Sequence, residues 1–447
     1  MKKKLFSLSL LILVLITSSY NFISGYINSL PKIEYEYFTE ATEKAPYPDA
    51  KFAVLSDIHI YDESLGSTGL AFEEKLSSDR KLLLDSQDLF NFAINEIINS
   101  DAQFVLISGD LSKDGELIIH ETVAKSLNKL IENGKKVYVI PGNHDINNPE
   151  AEKYVEDETF PVENITAEDF SEIYGNFGYN EAIFRDPNSL SYVAEPVQGL
   201  WLIAADSCRY SENKPGEHEI VSGKISQASE NWLSDVMTKA IVQDKAVMVM
   251  MHHGIVEHWK GQSRLHPDYI IQDYKYFSRF LASYNVRLAF TGHYHAQDIT
   301  RADFDDKYIY DVETGALVTY PCPIRFCALE NNVITINSVK IGDILHPGTD
   351  FAVNAKDFIK KTVALESIRT LKKYYASDKD IDYVADIIEE SFFAHYFGDE
   401  DLNLKPKVDT IKLSLWGRFI YSQLEYTVDG IWTDLFPADN NVSFELN

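Results

Sequence analysis

The chain has 447 residues, with 41 Lys+Arg against 69 Asp+Glu for a formal net charge of −28, and it is 45% apolar and 13% aromatic. Such acidity leaves no basic face to neutralise backbone phosphates, which excludes a general nucleic-acid binder, and such apolarity excludes a disordered chain. Three cysteines, Cys208, Cys322 and Cys327, are too few for a disulfide-built mini-fold.

In chain order, Lys2, Lys3 and Lys4 precede an apolar run over residues 5–16, which Thr17, Ser18, Ser19 and Asn21 interrupt. This is the layout of an export signal, its apolar core roughly a dozen residues long against the ~20 needed to cross a bilayer. Phe22, Ile23, Tyr26 and Ile27 prolong the apolar character, so residues 1–28 read either as a cleaved signal peptide or as a retained membrane anchor. Both readings export the rest of the chain, extracellular or anchored with the catalytic part outside the cytoplasm, and the second associates it with a membrane. Residues 29–49, with Pro46 and Pro48 among mixed charges, read as a linker. From Lys51 to about residue 345, short β-rich apolar runs alternate with longer stretches of helical period, which predicts an α/β sandwich over 50–345. Phe358, Ile359, Thr362, Leu365, Ile368 and Leu371, then Tyr383, Ile387, Ser391 and Ala394 after Ser377-Asp378, recur at helical spacing. Residues 350–447 are therefore expected to form a smaller, mainly helical domain that shapes access to a site without supplying its chemistry.

Five apolar runs each finish in metal-competent residues. Residues 52–55 lead to Asp57 and His59, 104–107 to Asp110, 137–140 to Asn143 and His144, 247–251 to His252, and 288–290 to His293 and His295. The carboxyl ends of neighbouring strands in an α/β sheet form one rim, so ligands scattered in sequence converge there. Carboxylate, imidazole and amide oxygen without thiolate suit Mn, Fe, Zn or Co as divalent ions. Seven ligands, Asp57, His59, Asp110, Asn143, His252, His293 and His295, are too many for one catalytic ion but suit two bridged by Asp110. Gly109, Gly142 and Gly292 stand where a strand must turn sharply beside such a site. His252 is preferred to His253, because consecutive strand residues face opposite ways.

Taken singly, Asp57-Ile58-His59 and Gly109-Asp110 are ordinary loop pairs. Gly142-Asn143-His144-Asp145 is sharper, expected by chance about once per thousand chains of this size. His218, His258 and His266 lie in polar stretches and are expected at the solvated surface. Asp206, after residues 201–205, is either an acceptor for a ligand imidazole or a strand-end turn residue. Cys322 and Cys327 are either disulfide-bonded or buried free thiols, and Cys208 is expected in the core.

Together, Asp57-x-His59, Gly109-Asp110, Gly142-Asn143-His144-Asp145, His252 and Gly292-His293-x-His295 resemble the calcineurin-like metallophosphoesterase superfamily over roughly residues 50–345. The resemblance implies an αββα sandwich of two mixed sheets. It places one ion on Asp57, His59, Asp110 and His295 and the other on Asp110, Asn143, His252 and His293. It also makes His144 the catalytic proton donor. Gly109-Asp110 continues into Leu111-Ser112-Lys113-Asp114-Gly115, without the Asp-Arg-Gly of serine/threonine protein phosphatases. Lys113 stands where purple acid phosphatases carry a tyrosine and where protein phosphatases carry the aspartate that orients the histidine. The tail is too short and too helical for a 5′-nucleotidase. What remains is similar to exported bacterial class III cyclic-nucleotide phosphodiesterases, which implies hydrolysis of cyclic nucleotides or related small phosphodiesters by a hydroxide shared between the two ions. The alternatives are a phosphomonoesterase or a phospholipid or glycerophosphodiester hydrolase with the same centre; the occupied ligand positions speak against a non-catalytic scaffold.

Overall fold

A computed structural model describes residues 45–446. The signal peptide or anchor expected over residues 1–28 lies outside the described residues, as does most of the linker. Within the described part, Tyr47 is already docked, its hydroxyl donating to the Val247 carbonyl at 2.7 Å.

In chain order the strands are β1 (Ala50–Leu55), β2 (Phe104–Ile107), β3 (Lys136–Val139), the hairpin β4 and β5 (Glu152–Val155, Glu158–Pro161), β6 (Phe184–Arg185), β7 (Tyr192–Val197), β8 (Leu200–Ala205), β9 (Ala246–Met251), β10 (Leu288–Thr291), β11 (Asp298–Phe304), β12 (Lys307–Glu313), β13 (Pro323–Glu330), β14 (Val333–Lys340) and β15 (Asn441–Glu445). They build one sheet of order β15-β14-β13-β1-β2-β3 and a second of order β11-β12-β10-β9-β8-β7-β6. Both are mixed: β1, β2 and β3 run parallel, as do β8, β9, β10 and β12, while the outer strands pair antiparallel.

The period-two side-chain alternation of a strand decides how these sheets pack. Along β8 and β9, Leu200, Leu202, Ala204, Met248 and Met250 join the core shared with the first sheet. Trp201, Ile203, Val247, Val249 and Met251 join a second core. Helices α5 (Gln227–Val242) and α6 (Tyr274–Ser283) close that second core with Leu233, Val236, Phe277 and Leu281. Between the sheets, Phe52 stacks on Phe104 at 4.9 Å and meets Phe290 edge-on at 5.4 Å. On the far side of the first sheet, α2 (Ser86–Asn99) and α3 (Leu117–Glu132) bury Leu89, Ile94, Ile119 and Val123. The architecture is the expected αββα sandwich. Two shorter helices, α1 (Leu70–Ser78) and α4 (Ala167–Ile173), lie in its connections.

The tail carries α7 (Phe351–Lys373), α8 (Asp378–Phe397) and α9 (Leu415–Ile431) around a core of Leu371, Ile381, Val384, Ile420 and Val428. Ser377 caps α8 by accepting from the Asp380 amide. Asp380 in turn accepts from the amide and hydroxyl of Ser414, the cap of α9, at 2.8 and 2.6 Å, which joins the two helix starts. The tail is not wholly helical: it ends in β15, which pairs antiparallel with β14 at the edge of the first sheet. Five residues of mixed polarity carry too weak a β signal to be read without the waiting edge.

Candidate metal centre

The ligands lie just beyond the ends of β1, β2, β3, β9 and β10, adjacent strands whose carboxyl ends meet across the two sheets. The ladder continues past the strands themselves: the amides of Asp57 and His59 donate to the carbonyls of Gly109 and Asp110 at 3.1 and 3.0 Å. Asp57, His59, Asp110, His293 and His295 all adopt positive φ, between 35° and 77°. This conformation costs an L-residue of order 1 kcal/mol each, and the surrounding hydrogen bonds hold it in place. The result turns five side chains inward at one point. At Gly109 φ is +95°, and a Cβ there would stand 2.6 Å from the His252 Nδ1; at Gly142 a Cβ would lie 2.0 Å from Asp110 Oδ1. Only glycine admits these approaches.

Asp110 is the hub. Its Oδ2 lies 3.4 Å from His59 Nε2 and 3.4 Å from His252 Nε2, while Oδ1 accepts the His144 amide at 3.0 Å. On one side His295 Nε2 is 3.4 Å from Asp57 Oδ1 and 3.2 Å from His59 Nε2. On the other, His252 Nε2 is 3.1 Å from Asn143 Oδ1, and Asp110, His252 and His293 bring ligand atoms within 4.8 Å of one another. All seven predicted ligands are gathered, in the two expected groups sharing Asp110.

These residues fit two cations. Asp57 Oδ1 is buried without a hydrogen-bond partner, and imidazole nitrogens and carboxylate oxygens crowd together at distances that leave their lone pairs opposed. Burial holds His59 and His293 well below the ordinary histidine pKa, in the neutral form that ligates. The other ring nitrogens are taken: His59 Nδ1 lies 3.2 Å from the Ser112 carbonyl, His252 Nδ1 2.8 Å from the Ser108 carbonyl, and His293 Nε2 3.2 Å from the Asp268 carbonyl. Such bonds fix the tautomer and aim the free nitrogen at the centre. Asp145 does not ligate. It accepts from the amides of Gly142, Leu111 and Ser112 at 2.8–3.1 Å, stapling the β2 and β3 loops together.

His144 stands beside the ligands but outside their set, its Nε2 4.0 Å from Asp110 Oδ2. Its Nδ1 lies 2.8 Å from Asp114 Oδ1, which supplies the orienting carboxylate that the sequence comparison left missing. Asp114 is one residue beyond the position where an orienting acid is sought, and Lys113 turns beneath the loop to pair with Asp114 and with Glu116 at 3.4 Å. Against burial and the nearby Lys81 ammonium, the carboxylates of Asp110, Asp114 and Glu219 hold the His144 pKa above its ordinary value. Lys81 itself gave no sequence signal. It is 7% exposed and lines the cavity above the centre, and among the described residues no acid lies within 4.0 Å of its ammonium.

The remaining candidates separate clearly. His253 bonds Ser207 Oγ and the Val221 carbonyl, each at 2.8 Å, so His252 is the inward member of the pair. His218 is exposed beside Glu150 as expected. His258 is not at the surface: it is fully buried, with Nδ1 2.7 Å from Asp298 and Nε2 3.2 and 3.4 Å from Asp311 and Glu313. Those acids come from β11 and β12, far along the chain, and against burial they hold its pKa well up. His266 is half-buried, lining the cavity among the rings of Trp259, Tyr269, Tyr294 and Phe392. Asp206 accepts from the amides of Leu190 and Cys208 and from the Tyr210 hydroxyl, the bonding of a turn residue rather than of a partner to a ligand imidazole. Cys322 and Cys327 are buried free thiols, and Cys208 is only partly buried, its thiol donating to the Pro141 carbonyl.

A family model described as calcineurin-like phosphoesterase matches residues 50–297. Among solved structures, a dimetal phosphatase from Danio rerio is 15% identical, over 65% of this chain and 96% of its own, at a TM-score of 0.48. A sulfate thiohydrolase from Thermus thermophilus in complex with glycerol is 13% identical, over 72% of this chain and 62% of its own, at a TM-score of 0.34. No curated protein matches the chain.

Proposed function

The chain belongs to the calcineurin-like phosphoesterase family, a metal-dependent phosphoric ester hydrolase, and from that premise we propose that it hydrolyses small phosphodiesters, cyclic nucleotides among them, with two divalent ions of Mn, Fe, Zn or Co. The observation that carries this reading is Asp110 Oδ2, equidistant at 3.4 Å from an imidazole of each ligand group. When bound, two ions supply Lewis acidity to the phosphoryl oxygens and a nucleophile near neutral pH. The rest falls to the chain's own side chains.

A diester expels an alkoxide, which needs a proton. Asp114 fixes His144 through Nδ1, so Nε2 faces the cavity and delivers that proton to the leaving oxygen. A monoester needs space on only one side of phosphorus. Here the cavity continues well past the ligands, leaving room for a second ester substituent. Lys81, with no acid within 4.0 Å of its ammonium among the described residues, meets a phosphoryl oxygen. The body's strong negative charge repels anionic substrates, so this ammonium and the ions provide the local positive field.

Thorough chelation is expected to abolish hydrolysis of an aryl phosphodiester, and Mn²⁺ to restore it; hydrolysis that persists with metal content near zero would refute the two-ion reading. Replacing Lys81 by Met is expected to lower kcat/KM by roughly tenfold to a hundredfold, chiefly through KM, the worth of a hydrogen bond to a charged group. Full metal content in that variant with unchanged kinetics would remove Lys81 from the substrate site. Export, with or without a retained anchor, is part of the same proposal. It rests on Lys2, Lys3, Lys4 and the apolar run after them; among the described residues no helix is long and apolar enough to cross a membrane. A mass measurement on the chain recovered from its native host would show whether residues 1–28 are removed.

A further inference from the structure

The cavity over the metal centre has a volume of about 570 Å³, the size of a site for a ligand far larger than a phosphoryl group. Asp110, Asn143, His144, His293 and His295 line it together with residues of all three tail helices. What the tail contributes is chiefly apolar: Val363 and Leu371 from α7, Ile388 and Phe392 from α8, Val428 and Ile431 from α9. Two hydroxyls on this wall are turned back to their own helices, Ser367 to the Val363 carbonyl at 2.9 Å and Ser391 to the Ile387 carbonyl at 2.7 Å. The charge that the tail contributes to the lining, Glu366, is spoken for as well. Arg80 donates to the Tyr396 hydroxyl at 2.5 Å and lies 3.4 Å from Glu366, so the pair offers little net field to a ligand. A base or sugar would lose hydration against the apolar side chains of this wall, whereas a hydrocarbon would lose nothing there.

From this juxtaposition we infer that the substrate is amphiphilic, a phosphodiester whose phosphoryl group sits at the metal ligands and whose second substituent is an apolar chain lying against the tail helices. The inference rests on the phosphodiesterase reading and specifies its substrate class. The occupant is argued from continuity: the apolar wall and the ligands bound one space, so a single molecule can hold its phosphoryl group at the centre and lay its second substituent on the wall.

The test uses 4-nitrophenyl alkyl phosphates with methyl, butyl and octyl chains on the Mn²⁺-loaded full chain. The leaving group is constant, so only the chain varies. Because each buried methylene contributes a factor of about four, kcat/KM is expected to rise roughly a hundredfold from methyl to octyl with about half of the chain buried. Calorimetry with methylphosphonate and octylphosphonate provides a readout independent of turnover, and octylphosphonate is expected to bind tighter by a similar factor. Thr427→Trp, at a half-buried position on the cavity wall, is expected to bring the octyl to methyl ratio toward one. Normal cleavage of the methyl ester with a flat or falling series, or a kcat/KM for 3′,5′-cyclic AMP above that of the octyl ester, would overturn the inference and leave the phosphodiesterase reading standing. If no ester were cleaved by the loaded chain, that reading would fall, and the phosphonate pair would decide the apolar site alone: equal affinity rejects it, and preference for octyl supports it.

Discussion

Asp110→Asn is expected to leave the chain with one ion or none and to cut turnover on any phosphodiester by more than about a hundredfold, beyond the loss typical of an outer partner to a ligand. The reason is geometric and electrostatic together. One carboxylate oxygen serves an imidazole of each ligand group at 3.4 Å, and a neutral amide cannot balance two cations from that position. The same side chain holds the His144 amide through Oδ1, which the amide oxygen of asparagine can still accept, so the fold of the β3 loop is expected to survive. Asp57→Asn, which touches one group only, is expected to lose less. Elemental analysis decides: two ions retained in Asp110→Asn would show that it does not bridge.

His144→Ala is expected to keep both ions and lose about 10²–10⁴ in turnover, the usual worth of general acid catalysis. The imidazole lies outside the ligand set, and its removal leaves Asp114 with Lys113 and Lys75 as partners. The size of the loss depends on the leaving group. A nitrophenolate departs without help, whereas the ribose alkoxide of a cyclic nucleotide or the alkoxide of a dialkyl ester does not. The variant is therefore expected to be hurt least on the nitrophenyl ester. Equal damage on both classes would assign His144 to phosphate positioning, and a lost ion would place it in the coordination sphere.

That seven candidate ligands would gather at one point was legible because each follows an apolar run, and strand ends are where an α/β sheet brings distant residues together. His252 over His253 was read from strand periodicity, but both lie just past the end of β9; what separates them is their bonding, His252 to Asn143 and His253 to Ser207 and the Val221 carbonyl. Asp114 was harder. The acid is present, but a one-residue difference in spacing hid it, and only the turn that buries Lys113 against Glu116 brings Asp114 onto His144. His258 was misread for a related reason: polar neighbours in sequence suggest solvent, while the acids that enclose it arrive from strands some forty or more residues later.

Sequence by itself thus determined the α/β character of the scaffold and the residues gathered at its strand ends, since alternation and strand ends are local patterns with a fixed spatial meaning, while the two-sheet arrangement came from the family resemblance. The first two tail helices were equally plain in their period, and the cap at Ser377 is local as well, whereas the third, with its cap at Ser414, was not singled out. What those helices cover was left to tertiary structure: that Leu371, Phe392 and Val428 wall the cavity over Asp110, that Lys81 enters it with no acid within 4.0 Å of its ammonium among the described residues, and that residues 441–445 complete the first sheet. Each of these depends on docking between segments far apart in the chain. An apolar stripe specifies that a helix must be buried but not against what, and an edge strand takes its partner from the edge that the rest of the fold leaves open.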